Sequence, residues 1–190
     1  MIEDNFLKQE TFDKLQLLMV NPQVDKAYFP WYFRCGYYDL NESEKDYNEN
    51  AKRVTKAMKE LNNFQFTHPF YCDNAPQSPF LEQLSPILEK LQPISIWRVV
   101  ANLLPRLPTP VENPLHTDMS FLSEQKQKQW MTAIFYMNTN DGYTIFEDGT
   151  KVESVANRMI TFPANMKHTG TSCTNQQTRV LINFAYMKLK

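Results

Sequence analysis

The chain has 190 residues, 42 % of them hydrophobic and 22 % charged, a length at which roughly 70 % of the unfolded surface is buried and one core is expected. Lys+Arg 20 against Asp+Glu 21 leaves a net charge of −1, so neither a disordered chain nor a polyanion-binding surface is favoured, and no nucleic-acid partner is expected. The four glycines (Gly36, Gly142, Gly149 and Gly170) stand singly, and the absence of a GxGxxG or GxxxxGK loop argues against P-loop ATPases and Rossmann dehydrogenases.

The start, MIEDNFLKQETFDKL, carries no basic region followed by an apolar run, and no stretch approaches the ~20 apolar residues of a bilayer span. We expect a protein that resides in the cytoplasm with no membrane partner. Cys35, Cys72 and Cys173 are odd in number and lack CxxC spacing, so reduced thiols are expected rather than a disulfide scaffold.

In chain order, Thr11 is placed to cap a helix over Phe12, Leu15, Leu18 and Met19, ending near Asn21 and Pro22. AYFPWYFR and FQFTHPFY read as short aromatic strands, with His68 in an ordinary strand-edge or turn role. Between them, Asn41 and Glu44 form a capping-box pair ahead of an amphipathic helix marked by Tyr47, Ala51, Val54, Met58 and Leu61. Ser78 followed by Pro79 opens a helical pattern over Leu81, Leu84, Leu88 and Leu91, and Pro86 should kink it or restart it after Ser85.

From Ile94 the period changes to that of strands. ISIWRVVANLL, QWMTAIFYMN, YTIFE, TKVES, NRMITFP and TRVLINFAYMKL are β-branched or aromatic runs, and EDGT predicts a two-residue hairpin turn. The fold class expected is mostly β with buttressing helices (α+β), a jelly-roll barrel. Within a single domain, residues 1–93 would form a helical or mixed support and residues 94–190 the barrel strands with the site.

Only three histidines occur. In PLHTDMS, His116 and Asp118 are two apart, so on an extended backbone both side chains leave one face. His168 follows Asp118 after 50 residues and Arg179 follows His168 after 11. Two imidazoles and one carboxylate form the facial triad of non-haem Fe(II) oxygenases, and an arginine in the same barrel offers a planar fork to a cosubstrate carboxylate. The same donors also suit catalytic zinc.

With these residues in view, the stretch from about Ile94 to Tyr186 resembles the Fe(II)/2-oxoglutarate-dependent oxygenases, in particular their prolyl-4-hydroxylase-like branch. AIFYMNTNDGYTIFEDG is similar to the family's strand ending in Tyr-hydrophobic-Asn before a glycine turn, Thr and Phe. NRMITFPANMKHTG is similar to its distal-histidine segment, and Tyr136 to Asn183 resembles small phage-encoded members. The resemblance implies a double-stranded β-helix, with His116, Asp118 and His168 as catalytic metal ligands and Arg179 as anchor of the distal carboxylate of 2-oxoglutarate. It also implies Tyr136 as a supporting hydroxyl, and Asn102 where relatives place a tyrosine that touches the cosubstrate. Alternation along the last strand puts Asn183 on the face of Arg179.

The activity so implied is hydroxylation of an aliphatic C–H bond with Fe(II), 2-oxoglutarate and O2, yielding succinate and CO2, with ascorbate keeping iron reduced. The substrate would be a prolyl residue of a peptide or protein. Gln129, standing where many prolyl hydroxylases carry a peptide-holding arginine, leaves open a free amino acid, small metabolite or nucleobase. A jelly-roll that binds metal and ligand without turnover is the alternative from another class. Cys173, in TSCTN, is expected to be inert.

Overall fold

The strand-period runs in the second half of the sequence fold into antiparallel β-sheet. The computed structural model describes residues 1–20, 29–34 and 64–188. The helix expected after Asn41 lies outside them, as do Asn21, Pro22 and the beginning of the first aromatic run. The strands are β1 (Ile2–Glu3), β2 (Tyr32–Arg34), β3 (Gln65–Cys72), β4 (Ala75–Pro76), β5 (Ser95–Pro105), β6 (Met131–Tyr136), β7 (Tyr143–Phe146), β8 (Lys151–Glu153), β9 (Arg158–Pro163), β10 (His168–Gly170) and β11 (Thr178–Met187).

The larger sheet runs β1-β9-β6-β11-β5-β3-β2, with β4 paired to β3, and the smaller one runs β10-β7-β8. A further extended stretch, residues 111–116, lies antiparallel beside β10 through the bridges Glu112↔Thr171 and His116↔His168. The two sheets close into a jelly-roll, the double-stranded β-helix. Strands β1, β2 and β3, from the first half of the sequence, are part of the larger sheet.

Alternation decides what each face does. On β11, Val180, Ile182 and Phe184 belong to the main apolar core, whereas Arg179, Leu181 and Asn183 line the barrel cavity. On β5, Val99 and Ala101 point to that core while Arg98, Val100, Asn102 and Leu104 line the cavity.

Helix α1 (Gln9–Met19) contributes Phe12, Leu15 and Met19 to the core outside the barrel. A 3-10 turn, Pro79–Leu84, and helix α2 (Ser85–Leu91) contribute Leu84, Ile87 and Leu91. Phe12 meets Phe135 of β6 edge-on at 5.9 Å. A smaller cluster inside the barrel holds Ile134, Tyr136, Phe146, Val152, Ile160, Phe162 and Leu181. A short helix α3 (Glu124–Gln127) precedes β6. Among the described residues no helix is long and apolar enough to cross a membrane.

Several local expectations are met and others corrected. Ser78 Oγ accepts the Phe80 N–H at 3.0 Å, and the second helix restarts at Ser85 with Pro86 in its first turn. Thr11 is not the cap of α1: Lys8, three residues earlier, takes that place, its carbonyl accepting the Thr11 and Phe12 N–H groups at 3.0 Å. EDGT is not a two-residue turn. Thr150 O still accepts the Phe146 N–H at 2.9 Å, so Glu147, Asp148 and Gly149 form the loop, with Gly149 left-handed at φ 86°. His68 is buried mid-strand rather than at an edge, its Nδ1–H donating to Pro30 O and its Nε2 accepting from Ser78 Oγ, both at 2.7 Å.

Asn157, left-handed at φ 62°, fastens the N-terminal segment to the barrel: its Oδ1 accepts the Leu7 N–H and its Nδ2 donates to Leu7 O, both at 2.9 Å. Because both Leu7 groups are buried, Asn157→Ala should lower stability by about 2–3 kcal/mol, whereas Asn157→Gly recovers only the backbone part of that loss. The shift in urea midpoint at unchanged slope measures it.

Candidate active site

The two histidines are brought together by the backbone. His116 N–H donates to His168 O at 3.0 Å and His168 N–H to His116 O at 2.9 Å, a directly opposed antiparallel pair whose side chains leave the same face. Their ring centroids are 5.1 Å apart. Each ring is oriented by a carbonyl: His116 Nδ1 donates to Pro114 O at 3.1 Å and His168 Nδ1 to Met166 O at 3.2 Å. Carbonyls only accept, so the Nδ1 atoms carry the protons and the Nε2 lone pairs remain.

Both Nε2 atoms approach Asp118, at 3.9 Å to Oδ1 for His116 and 3.7 Å to Oδ2 for His168. One donor atom from each residue lies within 4.8 Å of the other two. Two imidazole nitrogens and a carboxylate oxygen, with ring protons held on the far side, fit a first-row divalent cation such as Fe(II).

Asp118 is held from the larger sheet. Thr132 Oγ1 of β6 donates to its Oδ2 at 3.1 Å, Arg98 of β5 to Oδ1 at 3.3 Å, and Asn183 Nδ2 of β11 to both oxygens at 3.2 and 3.3 Å. Burial alone would raise the Asp118 pKa. The charges of His168, Arg98 and His116 and the Asn183 hydrogen bond outweigh it and hold the pKa at about 2. Burial lowers the His168 pKa below the ordinary imidazole value, and the Arg98 guanidinium stands 3.3 Å from the carboxylate. Ionised Asp118 and neutral His168 are the forms a metal ion needs.

Arg179 is 1 % exposed and reaches from β11 across to the smaller sheet. Its Nε donates to Ser154 Oγ at 2.7 Å and its terminal nitrogens to Thr171 O and Thr144 Oγ1, both at 3.3 Å. Two glycines make room for it. A Cβ on Gly170 would lie 2.9 Å from an Arg179 terminal nitrogen, and one on Gly142 2.6 Å from its Cδ. His116, Asp118, His168, Arg179 and Asn102 line one cavity of about 360 Å3.

Tyr136 is fully buried, its hydroxyl donating to Thr144 Oγ1 at 2.7 Å and its ring centroid 5.6 Å from the Arg179 guanidinium carbon. It stands behind Thr144, and Thr144 is the residue on the cavity wall. Sequence reasoning missed Thr144 and Ser154 as partners of Arg179, and Thr132, Arg98 and Asn183 as partners of Asp118. Alternation, which places Asn183 with Arg179 and Arg98 with Asn102, signalled two of them. Cys173 is buried, its thiol raised by burial and its Sγ 3.5 Å from Gln176 O.

No protein-family model matches the chain, and no curated protein matches it. Among solved structures it is similar to a truncated form of the viral collagen prolyl hydroxylase from Paramecium bursaria Chlorella virus-1, with a TM-score of 0.50 and 11 % identity over 100 % of this chain and 90 % of that one. It is also similar to SnoK, a non-haem α-ketoglutarate-dependent carbocyclase from nogalamycin biosynthesis (TM-score 0.45, 13 % identity, 77 % of this chain and 76 % of that one). A 2OG-Fe(II) oxygenase-family oxidoreductase from Burkholderia pseudomallei gives a TM-score of 0.47 at 9 % identity over 65 % of this chain and 66 % of that one. At such identities the likeness concerns the fold.

A metal titration tests the centre. Metal-free protein should take up one Co(II) or Fe(II) per chain by calorimetry, and His168→Ala should abolish binding. Thr132→Val, which removes one hydrogen bond to Asp118, should weaken affinity about 10- to 100-fold with little change in shape.

Proposed function

We propose that the chain is an Fe(II)- and 2-oxoglutarate-dependent oxygenase that hydroxylates an aliphatic C–H bond. The observation that carries this reading is the placement of the His116, Asp118 and His168 donors in one cavity with a buried arginine. A zinc hydrolase would need the same three donors but has no use for a guanidinium sunk in the closed barrel. A metal-binding module without turnover would give the cavity no reason to gather both.

His116 and His168 would hold Fe(II) through Nε2, and Asp118 through a carboxylate oxygen. The bound metal and 2-oxoglutarate supply activation of O2 and removal of hydrogen from carbon, with succinate and CO2 as co-products. Arg179 takes the distal carboxylate of the cosubstrate. Hydrogen bonds to Ser154, Thr171 and Thr144 fix the orientation of the guanidinium fork.

Thr144 adds a hydroxyl to the same clamp. Its oxygen already accepts hydrogen bonds from Tyr136 and Arg179, so its own proton is left to donate into the cavity. Val100, Leu104, Ile134 and Leu181 form apolar walls that keep water from the reacting carbon. A prolyl residue, named in the viral hydroxylase similar to this chain, is the first substrate class to test. A free amino acid, small metabolite or nucleobase follows.

Anaerobic addition of Fe(II) and 2-oxoglutarate should produce the visible charge-transfer band of a chelated 2-oxo acid, absent in His116→Ala. Arg179→Lys, which keeps the charge and loses the fork, should weaken 2-oxoglutarate binding about 10- to 100-fold, the worth of one charged hydrogen bond. No band from folded, iron-loaded protein would sink the oxygenase reading. Gly170→Ala should raise the 2-oxoglutarate dissociation constant while leaving Co(II) affinity unchanged, because its methyl meets Arg179.

A further inference from the structure

The cavity wall carries three polar side chains that the His116, Asp118 and His168 site and the Arg179 clamp leave unused. Arg34 of β2, Thr67 of β3 and Asn102 of β5 all line the cavity. The strand register puts them on one face. Arg34 is opposed to Gln65, a cavity residue two before Thr67, and Thr67 is opposed to Asn102, itself opposed to the cavity residue Leu181. Opposed side chains leave an antiparallel sheet on the same side, and a diagonal neighbour stands about 7–8 Å away, within reach of an arginine.

None of the three side chains makes a hydrogen bond or ion pair with another described residue. Thr67 is 5 % exposed, yet its Oγ1 is not among the unpartnered polar atoms sealed from open space, so the hydroxyl reaches the cavity that the residue lines. Charge sharpens the picture. Among the described residues Asp118 is the one acid on the cavity wall, and it already faces Arg98, His116 and His168. The described wall therefore holds no carboxylate for Arg34, a partly buried cation. A guanidinium fork beside two uncommitted neutral donors is a donor set for a carboxylate on the ligand.

We infer that Arg34, Thr67 and Asn102 bind a carboxylate of the substrate, which is a small free acid. This rests on the oxygenase reading and gives Asn102 to the substrate rather than to 2-oxoglutarate. Arg34 donates its fork, Thr67 its O–H and Asn102 its Nδ2–H, the amide being free to turn because no other bond fixes it. One cation suits the single charge of a carboxylate, whereas a phosphate dianion calls for a second. The cavity of about 360 Å3 also has to hold 2-oxoglutarate, which leaves room for a small molecule. An internal prolyl residue has its carboxyl tied up in a peptide bond and brings no anion, so the inference moves the substrate from peptidyl proline toward free amino acids and other small acids.

Three probes of one ring size test this. Protein loaded anaerobically with Fe(II) and saturating 2-oxoglutarate is titrated with cyclopentanecarboxylate, cyclopentanecarboxamide and cyclopentylphosphonate, following both the visible band and Tm. The carboxylate should bind about tenfold more tightly than the carboxamide, which keeps the shape and loses the charge, and more tightly than the phosphonate. Arg34→Gln should erase the preference for the carboxylate, and Arg34→Lys, which keeps the charge without the fork, should retain about threefold of it. Thr67→Val, a change of nearly constant shape, should weaken the carboxylate about fivefold.

A carboxamide as good as the carboxylate, a preference that survives Arg34→Gln, a phosphonate that binds more tightly, or a carboxylate that bleaches the band by displacing 2-oxoglutarate from Arg179 would overturn the inference. Absence of the band in wild-type protein strikes the oxygenase reading instead. The Tm gain from carboxylate over carboxamide, and its loss in Arg34→Gln, then still decides the carboxylate subsite.

Discussion

A full positive charge buried at 1 % exposure sets the terms for the barrel interior. Withdrawing a guanidinium from water costs several kcal/mol unless its N–H groups are met, so the positions around Arg179 cannot be filled freely. Ser154, Thr144 and the Thr171 carbonyl meet them, and all three lie on the smaller sheet or its edges, whereas Arg179 starts from the larger. The charge thus ties the two sheets together. Gly170 sits opposite Thr144 in the β10–β7 pair, on the inward face two residues after His168, where any side chain would collide with the guanidinium.

Asp118 makes the complementary tie. Its hydrogen-bond donors Thr132, Asn183 and Arg98 come from β6, β11 and β5 of the larger sheet, while His116 and His168 face each other beside the smaller one. His116, Asp118 and His168 therefore meet only when the sheets are closed on each other. A bound cation would stabilise that closed barrel by the free energy of its binding, and loss of barrel closure would release it.

That His116, Asp118 and His168 come together in one cavity with Arg179 was legible in the sequence, because two of only three histidines stand with Asp118 and Arg179 at a spacing that resembles a known family's. The antiparallel order was legible because β-branched and aromatic alternation persists over long runs such as β5 and β11. What stayed hidden depended on pairing across distance. The backbone bond between His116 and His168 joins residues far apart in sequence, and Thr132, Asn183 and Arg98 are ordinary types whose convergence on Asp118 has no local signature. Two-residue β1 and three-residue β10 are too short to show a period. Lys8 opens α1 through its carbonyl alone, so the helix start carried no side-chain signal, and Thr11 drew the prediction three residues too late.

The largest apolar cluster lies outside the barrel, where Phe12, Ile87, Val99, Phe135 and Phe184 pack between the helices and the outer face of the larger sheet. That placement frees the interior from supplying most of the burial that holds the chain folded. Inside, an apolar cluster of Ile134, Phe146, Phe162 and Leu181 packs against the site, and Arg179, Asp118, Asn183, Asn102 and Arg98 are among the polar groups that line the cavity. Such a row of polar groups would be a liability in the only core of a small β-barrel. Here it is tolerated because stability rests on one face of the sheet and the polar cavity lies on the other, one residue apart along the same strands.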